Sequence, residues 1–216
     1  FISRMVVRAF IYMKDNYIII REAISKELCD FIYEYFKLKR RGVELMLGEK
    51  LISPFVDYWG TWNDPQIPDS YSCYGDPVMD SLLPKLKPLM EKTTNLKLCE
   101  TYSYARLYKH GDILKRHKDR FSCEISSTLH LGGTDWPIYL DNTGGKDEEG
   151  TRVNLNIGDM LCYKGPKIEH WRYALHGDDC AQVFLHYNDA AHKNAKQNKF
   201  DGREFLGIPK CLQRKK

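Results

Sequence analysis

The stretch TYSYARLYKHGDILKRHKD, residues 101–119, places an alternating strand pattern directly before a histidine and an aspartate two positions apart. Tyr102, Tyr104, Arg106 and Tyr108 fall on one face of this strand, because successive side chains of an extended chain point to opposite sides. Three phenols and a guanidinium on one face are typical of a polar pocket. An exposed sheet face with aromatic cross-strand pairs is the alternative interpretation.

Short segments with the same period of two continue from this stretch to residue 187. Gly, Asp and Asn residues divide them, as they do between consecutive strands. The candidate strands are 97–108, 112–117, 123–131, 136–140, 152–156, 159–163, 168–175 and 180–187. About eight short strands predict a double-sheet jelly roll or a barrel, so the fold class is mainly β with flanking helices.

The part of the chain before this region predicts one short strand and two amphipathic helices. Strand 16–20 precedes Ser25, which is suited to cap a helix, and Asp76 with Pro77 is a typical start for a second one. The apolar stripe of the first helix contains Leu28, Phe31, Ile32, Tyr35 and Phe36. We expect both helices to cover the outer face of one sheet with their apolar sides.

Length and composition predict one folded domain, since the chain has 216 residues of which 43% are hydrophobic. We divide it into a helix-rich part at 1–95, a jelly-roll core at 96–190 and a basic C-terminal tail at 191–216. Residues 193–216 hold eight Lys or Arg against two Asp or Glu, so the net charge of +4 is a property of the tail. Such a tail can contact nucleic acid or an acidic partner, but a solvated terminus is the simpler interpretation.

The seven cysteines are widely scattered and include no Cys-x-x-Cys pair. They are typical of reduced thiols in a cytosolic protein. Residues 1–17 contain no long apolar run followed by a cleavage site, and no segment approaches eighteen consecutive apolar residues. We therefore expect a cytoplasmic protein without a membrane span.

His117 and Asp119 are candidate metal ligands, because residues i and i+2 of an extended chain point to the same side, about 6 to 7 Å apart. Two histidines and one carboxylate form the ligand set that leaves open positions on non-haem ferrous iron. A third ligand must come from a distant strand, and His170 lies 53 residues further along. A second His-x-Asp match at 176–178 lies in a predicted turn, with too few strands after it to supply such a ligand.

Four sequence motifs occur in this order along the chain: YKHGDILKRHKD, LHLGGTDWPIYLD, GDMLCYKGPKIEHWRYALHG and QVFLHY. Together they resemble the iron(II)- and 2-oxoglutarate-dependent oxygenase superfamily, close to its prolyl 4-hydroxylase branch and to a group of bacterial and phage oxygenases of unassigned substrate. The resemblance implies a double-stranded β-helix whose iron ligands are His117, Asp119 and His170. It also implies ferrous iron, 2-oxoglutarate and O₂ as reactants, ascorbate as an accessory reductant, and hydroxylation with release of succinate and carbon dioxide.

The resemblance implies a binding site for 2-oxoglutarate as well. Tyr108 matches a tyrosine that contacts this cosubstrate in prolyl hydroxylases. Those enzymes carry a Lys or Arg nine or ten residues past the distal histidine, where this chain has Asp179 and Cys180. We therefore predict that Arg172, two residues past His170, binds the far carboxylate, since a guanidinium can bind a carboxylate through two hydrogen bonds.

Arg106 is the second candidate for this carboxylate, and Tyr104 shares its face of the strand. For Arg172 the alternative interpretation is a surface ion pair with Glu169 or Asp178.

The sequence leaves the substrate open. A peptidyl-prolyl substrate is the leading hypothesis, held under a lid formed by segments 53–74 and 141–151. A nucleic-acid base and a small metabolite are alternatives, but no basic, aromatic-interleaved stretch outside the tail indicates a nucleic-acid partner. A cupin-like metal-binding protein without catalytic activity is the remaining class, because a fold does not imply a reaction.

Overall fold

Two antiparallel sheets carry most of the fold. The structure is a computed structural model, and it describes residues 15–143 and 149–212. The strands in these residues are β1 (Tyr17–Ile20), β2 (Tyr71–Tyr74), β3 (Leu98–Lys109), β4 (Leu114–His117), β5 (Ile125–Gly133), β6 (Ile138–Asp141), β7 (Thr151–Val153), β8 (Met160–Tyr163), β9 (Glu169–Arg172) and β10 (Asp179–Asp189). The helices are α1 (Lys26–Gly48), α2 (Pro77–Thr94) and the short α3 (Ala195–Asn198).

The two sheets have the topology of a double-stranded β-helix. The larger sheet has the strand order β1-β8-β5-β10-β3-β2, and the smaller has the order β4-β9-β6-β7. From β3 to β10 the chain passes repeatedly from one sheet to the other. This arrangement confirms the predicted jelly-roll core, and each of the eight predicted strands of the core is present within a few residues of its expected position.

Strand β2 corrects the sequence prediction, which treats 53–74 as a loop. It pairs with β3 at the edge of the larger sheet, with Tyr71 opposite Leu107 and Tyr74 opposite Tyr104. Tyr71, Ser72 and Cys73 are all buried, so this strand does not show the alternation of apolar and polar residues that indicates a strand in the sequence. The segment is a strand because β3 offers it a free edge.

The helices α1 and α2 pack against the outer face of the larger sheet, as predicted. Ser25 caps α1 by accepting a hydrogen bond from the N–H of Leu28 at 3.2 Å, and Asp76 caps α2. Ile32 and Phe36 of α1 belong to one apolar cluster with residues of α2, β3, β5, β8 and β10. The prediction for Phe31 is wrong, because its side chain is 66% exposed.

Two smaller apolar clusters join the sheets to each other. One consists of Ile138, Leu140, Val153, Leu155, Leu161, Tyr163 and Ile168. The other consists of Ile67, Tyr108, Leu114, Trp136, Leu175 and Cys180. Because both clusters contain residues of both sheets, they hold the inner faces together and leave polar residues between them.

The last described residues fold back onto the core. Arg203 donates a hydrogen bond from Nη1 to Oδ2 of Asp80 at 2.8 Å, and the side chains of both residues are at most 1% exposed. The N–H of Gly207 donates to the same oxygen at 2.7 Å. The expectation of a solvated terminus is therefore wrong for this segment, whereas residues 213–216 lie outside the described residues.

None of the described helices has the length and apolar character that a membrane span requires. The seven cysteines are free thiols, and five of them are buried. Their scattered positions in the sequence are consistent with this arrangement.

Asp80→Ala is expected to lower the free energy of unfolding by about 3–5 kcal/mol, because it leaves the buried guanidinium of Arg203 without its carboxylate. Urea denaturation followed by circular dichroism measures this change. Asp30→Ala, at an exposed position of α1, is the matched control and should change the value by less than about 0.5 kcal/mol. A loss below about 1 kcal/mol for Asp80→Ala would contradict the importance of this ion pair.

Candidate functional site

A cavity of about 320 Å³ lies between the two sheets, over the inner face of β3. Its wall includes Tyr102, Tyr104, Arg106 and Tyr108, the residues that alternation places on one face. Ala105 and Leu107, on the opposite face, belong to the apolar cluster beneath the helices. The predicted polar pocket is therefore confirmed, and β3 has no exposed aromatic face.

His117, Asp119 and His170 meet in the wall of this cavity. Oδ1 of Asp119 lies 3.8 Å from Nε2 of His117 and 3.6 Å from Nε2 of His170. The three ligand atoms lie within 4.8 Å of one another, and no other group of three or more His, Cys, Asp or Glu side chains among the described residues comes this close. Two imidazole nitrogens and one carboxylate oxygen at this spacing fit one ferrous ion with open positions.

Hydrogen bonds orient each of the three ligands. Nδ1 of His117 lies 2.7 Å and Nδ1 of His170 lies 3.4 Å from the carbonyl oxygen two residues earlier. When Nδ1 carries the proton and donates to this oxygen, Nε2 keeps its lone pair for a metal. Ser126 donates from Oγ to Oδ2 of Asp119 at 2.7 Å, which leaves Oδ1 as the ligand atom.

The electrostatics of the site favour the protonation states that a metal requires. Burial lowers the pKa of His170 to about 4, although the charge of Asp119 opposes this shift. Burial alone would raise the pKa of Asp119, but the neighbouring His170 and His186 and the hydrogen bond from Ser126 outweigh it, so this pKa lies below its usual value. A neutral imidazole and an ionised carboxylate are both ready to bind a cation.

Asp119 lies beyond the end of β4, so strand geometry alone does not aim it. Its N–H donates to the carbonyl of Gly165 at 3.1 Å. A Cβ atom at Gly165 would lie 2.6 Å from Oδ2 of Asp119 and 2.4 Å from the carbonyl oxygen of Cys123. The approach of this glycine, together with Ser126, positions the carboxylate and corrects the simpler expectation of an i, i+2 pair on one strand.

Arg172 is the last residue of β9, is 1% exposed, and does not belong to the residues that line the cavity. Its Nη1 donates to the carbonyl of Trp136, and its guanidinium lies 4.9 Å from the Trp136 ring. Nε and Nη2 have no hydrogen-bond partner in the described part of the chain. The alternative surface ion pair with Glu169 is absent, because Glu169 instead pairs with Arg116 at 2.5 Å. Burial lowers the pKa of Arg172, but a guanidinium remains charged in proteins, so this site holds a cation that lacks an anion.

Arg106 differs from Arg172 because it has a carboxylate partner. Its Nη2 donates to Asp64, and its Nη1 donates to Oη of Tyr108 at 3.1 Å. Tyr104 also donates to Asp64, at 2.5 Å. Tyr104 and Arg106 thus belong to one hydrogen-bonded network at the wall of the cavity.

The segment 53–74 reaches the cavity through Asp64 and Gln66. Oε1 of Gln66 accepts hydrogen bonds from Nη1 and Nη2 of Arg106, both at 3.2 Å, and its Nε2 lies 2.9 Å from Nε2 of His117. The sequence predicts a lid from this segment but does not identify these two residues, because no local pattern marks them. The second predicted lid, 141–151, includes residues 144–148, which lie outside the described residues.

Other lining residues were also missed in the sequence, among them Tyr163 and Cys123. Oη of Tyr163 lies 3.4 Å from Nε2 of His170, and Oη of Tyr102 lies 3.1 Å from Sγ of Cys123. They come from strand ends and turns that only the folded chain brings together. The second His-x-Asp match at 176–178 has an exposed histidine and aspartate and joins no metal-binding group among the residues that the structure describes.

No protein-family model matches the sequence, and no curated protein matches it. Solved structures match the fold instead. A prolyl-4-hydroxylase from Pseudomonas putida has a TM-score of 0.57 and 15% identity, covering 82% of this chain and 94% of that chain. HygX from Streptomyces hygroscopicus, with nickel, 2-oxoglutarate and hygromycin B bound, has a TM-score of 0.58 and 13% identity, covering 82% of this chain and 84% of that chain.

The epimerase SnoN, in complex with Fe³⁺, α-ketoglutarate and nogalamycin RO, has a TM-score of 0.54 and 16% identity, covering 83% of this chain and 81% of that chain. Likeness at such identities is likeness of fold. The chain therefore has the double-stranded β-helix fold of the iron(II)- and 2-oxoglutarate-dependent oxygenases, prolyl 4-hydroxylases among them. The sequence resemblance to this superfamily is therefore confirmed for the fold.

His117→Ala and Asp119→Ala are each expected to weaken Mn²⁺ or Fe²⁺ binding by more than about 100-fold, since loss of a residue that only hydrogen-bonds to a metal ligand already weakens binding by about 10- to 100-fold. Isothermal titration calorimetry under anaerobic conditions measures the dissociation constant. His176→Ala, which removes an exposed histidine of the second motif, is the matched control and should bind as the wild type does. An unchanged affinity in both site variants would show that the metal binds elsewhere.

Proposed function

We propose that this chain is an iron(II)- and 2-oxoglutarate-dependent dioxygenase that hydroxylates its substrate and releases succinate and carbon dioxide. The proposal is carried by the convergence of His117, Asp119 and His170, whose ligand atoms lie within 4.8 Å of one another. The fold adds support, because solved structures of the same fold contain iron or nickel together with the cosubstrate.

The chemistry that ferrous iron supplies with 2-oxoglutarate and O₂ is the oxidation of a C–H bond. In this chain Nε2 of His117, Nε2 of His170 and Oδ1 of Asp119 would hold the metal. Their partners keep both histidines in the tautomer that leaves Nε2 free and keep one carboxylate oxygen engaged with Ser126. The protein thus supplies three ligands with fixed orientation and leaves the other positions to the reactants.

Arg172 is the residue that we assign to the far carboxylate of 2-oxoglutarate. Its two unpaired nitrogens are buried, and an unpaired buried cation is costly unless an anion joins it. It follows His170 by two residues on β9, and its neighbour Trp136 contacts the ring of Tyr108 with 4.7 Å between centroids. Tyr108 thus contacts Arg106 directly and is linked to Arg172 through the ring of Trp136. This arrangement supports the cosubstrate contact that the sequence resemblance implies for Tyr108.

Apolar side chains would keep the reacting groups away from bulk water. Leu114, Ile138 and Phe184 line the same cavity as the metal ligands. A site from which water is excluded strengthens the electrostatic contacts of bound groups and protects reactive intermediates from side reactions. The polar side chains of β3 would then orient the substrate.

For the substrate, the sequence resemblance favours a peptidyl-prolyl group, and the likeness to the Pseudomonas putida prolyl-4-hydroxylase agrees with it. HygX and SnoN have the same fold, yet hygromycin B and nogalamycin RO are bound in their structures. Fold likeness therefore does not choose between a peptide and a small molecule. Mass spectrometry for a gain of one oxygen atom on proline peptides, amino acids and small metabolites is the direct assay.

Wild-type protein with Fe²⁺ is expected to form succinate from 2-oxoglutarate, and His117→Ala and Asp119→Ala should abolish this activity because each removes a metal ligand. Chromatographic detection of succinate measures it, with His176→Ala as the matched control. Succinate formation that survives both substitutions would refute the proposed function. With Mn²⁺ in place of iron, 2-oxoglutarate should also raise the melting temperature. Absence of a shift at millimolar cosubstrate would favour a metal-binding protein without catalytic activity.

Arg172→Gln is expected to raise the KM for 2-oxoglutarate by about 10- to 100-fold, since a hydrogen bond to a charged group contributes about 1.5–3 kcal/mol. Without cosubstrate its melting temperature should not fall, because the change removes a buried charge that has no anion. Arg152→Gln, at an exposed position of β7, is the matched control. An unchanged KM in Arg172→Gln would move the assignment to Arg106.

A further inference from the structure

Arg106 lies in the middle of the polar face of β3 and is 2% exposed. Its guanidinium lies 5.3 Å from the ring centroids of both Tyr104 and Tyr108. Among the described residues its carboxylate partner is Asp64, which comes from the segment between α1 and β2 and not from either sheet. A buried guanidinium flanked by two phenols is well suited to bind a planar carboxylate.

The same segment places an amide beside this carboxylate. Gln66 accepts from Arg106 through Oε1 and lies 2.9 Å from Nε2 of His117 through its own nitrogen. Because Nδ1 of His117 faces a backbone carbonyl, Nε2 is the acceptor and the Gln66 amide is the donor. One amide group therefore spans the space between Arg106 and the candidate metal centre.

This amide and a metal ion cannot use His117 at the same time. Nε2 of a neutral imidazole has one lone pair, and a metal bound there takes it. Gln66 must then rotate away, and Arg106 loses the acceptor that Oε1 provides. Asp64, which is 15% exposed in its side chain, and the phenol of Tyr108 are the acceptors that remain. A change of the Asp64 rotamer would then leave Tyr108 as the partner of the guanidinium and open the position of the carboxylate.

Resting on the proposed function, we propose that Arg106 binds a carboxylate group of the primary substrate, and that Asp64 and Gln66 fill this subsite in its absence. The two side chains supply what such a substrate would supply: a carboxylate on the guanidinium and a polar group next to the metal centre. Under the proposed function the far carboxylate of the cosubstrate is assigned to Arg172, whose Nε and Nη2 have no partner among the described residues, so Arg106 is left for a second carboxylate.

The spacing limits the chemical class of the substrate. Since one amide bridges Arg106 and Nε2 of His117, the oxidised carbon lies only a few bonds from the carboxylate. A free amino acid or another small carboxylic acid satisfies this spacing, and so does the C-terminal residue of a peptide. The shared feature is a carboxylate close to the C–H bond that is attacked.

The test uses Asp64→Ala, which removes the internal carboxylate and leaves room for an external one. The protein is loaded with Mn²⁺ and 2-oxoglutarate, so that Arg172 is occupied, and its melting temperature is measured with 50 mM acetate or 50 mM acetamide. Acetate should raise the melting temperature by about 2 to 4 °C, and the isosteric neutral acetamide should not. The double variant Asp64→Ala/Arg106→Gln should respond to neither probe.

Asp57→Ala, at an exposed acidic position of the same segment, is the matched control and should gain no response to acetate. Equal responses to acetate and acetamide, or an acetate response that persists in the double variant, would overturn the proposal. If Asp64→Ala does not fold, Asp64→Asn is compared with the wild type for a larger acetate response, and an equal response overturns the proposal.

A second measurement identifies the source of the carboxylate. L-Proline is compared with L-prolinamide, and a prolyl peptide with a free C-terminus is compared with its amidated form, each for a mass gain of 16 Da. Oxidation of the acids alone supports the proposal and distinguishes a small acid from a peptide terminus, whereas equal oxidation of the amides overturns it. If no compound is oxidised, the acetate measurement decides.

The failure of this inference can be told apart from the failure of the proposed function. Formation of succinate and stabilisation by 2-oxoglutarate depend on the metal ligands and Arg172, and both are measured without a primary substrate. If the wild type forms succinate and is stabilised by 2-oxoglutarate, but acids and amides are oxidised equally, only the carboxylate subsite is refuted. If the wild type neither forms succinate nor is stabilised by 2-oxoglutarate, the oxygenase proposal itself is refuted.

Discussion

His117 and His170 are register partners in the antiparallel pair of β4 and β9. This pairing is the constraint on which the site depends, because it brings together two side chains that are 53 residues apart in the sequence. The Nδ1 atom of each ring faces the backbone carbonyl two residues earlier, and the ring centroids lie 4.2 Å apart. The third candidate ligand, Asp119, lies in the segment after β4. This segment can approach Gly165 closely because glycine has no Cβ atom. A metal-binding group thus arises from sheet register and one tight contact.

The division of the strands into two faces explains how a protein of this size can keep a polar interior. On β3, Ala105 and Leu107 join the large apolar cluster beneath the helices, while the alternate residues face the cavity. Burial of apolar area on the helix side supplies the stability. The two smaller clusters then hold the sheets together on either side of the polar region. Buried polar groups without a hydrogen-bond partner are tolerated in this polar region, because the apolar packing elsewhere in the fold supplies enough stability.

The two buried arginines of this region illustrate how similar residues acquire different properties. Arg172 has a carbonyl and an aromatic ring as neighbours and no carboxylate among the described residues. Arg106 has an internal carboxylate and an internal amide, both supplied by one segment. Among the described residues, Arg172 keeps two buried nitrogens without a hydrogen-bond partner, Nε and Nη2, whereas Arg106 keeps one, its Nε. Arg106 contacts Tyr108 directly, whereas Arg172 contacts Trp136, whose ring packs on that of Tyr108.

The sequence by itself determined the strands of the core, the helices on one sheet and the candidate metal ligands, because these depend on alternation, helical spacing and a short motif that local sequence carries. It could not identify strand β2, the exposure of Phe31 or the burial of Arg203, since each depends on which surface the chain meets after folding. The placement of Asp64, Gln66 and Gly165 at the site was decided only by the tertiary structure. Contacts between distant segments leave no local pattern, and their physical cause is the closure of one sheet over the other.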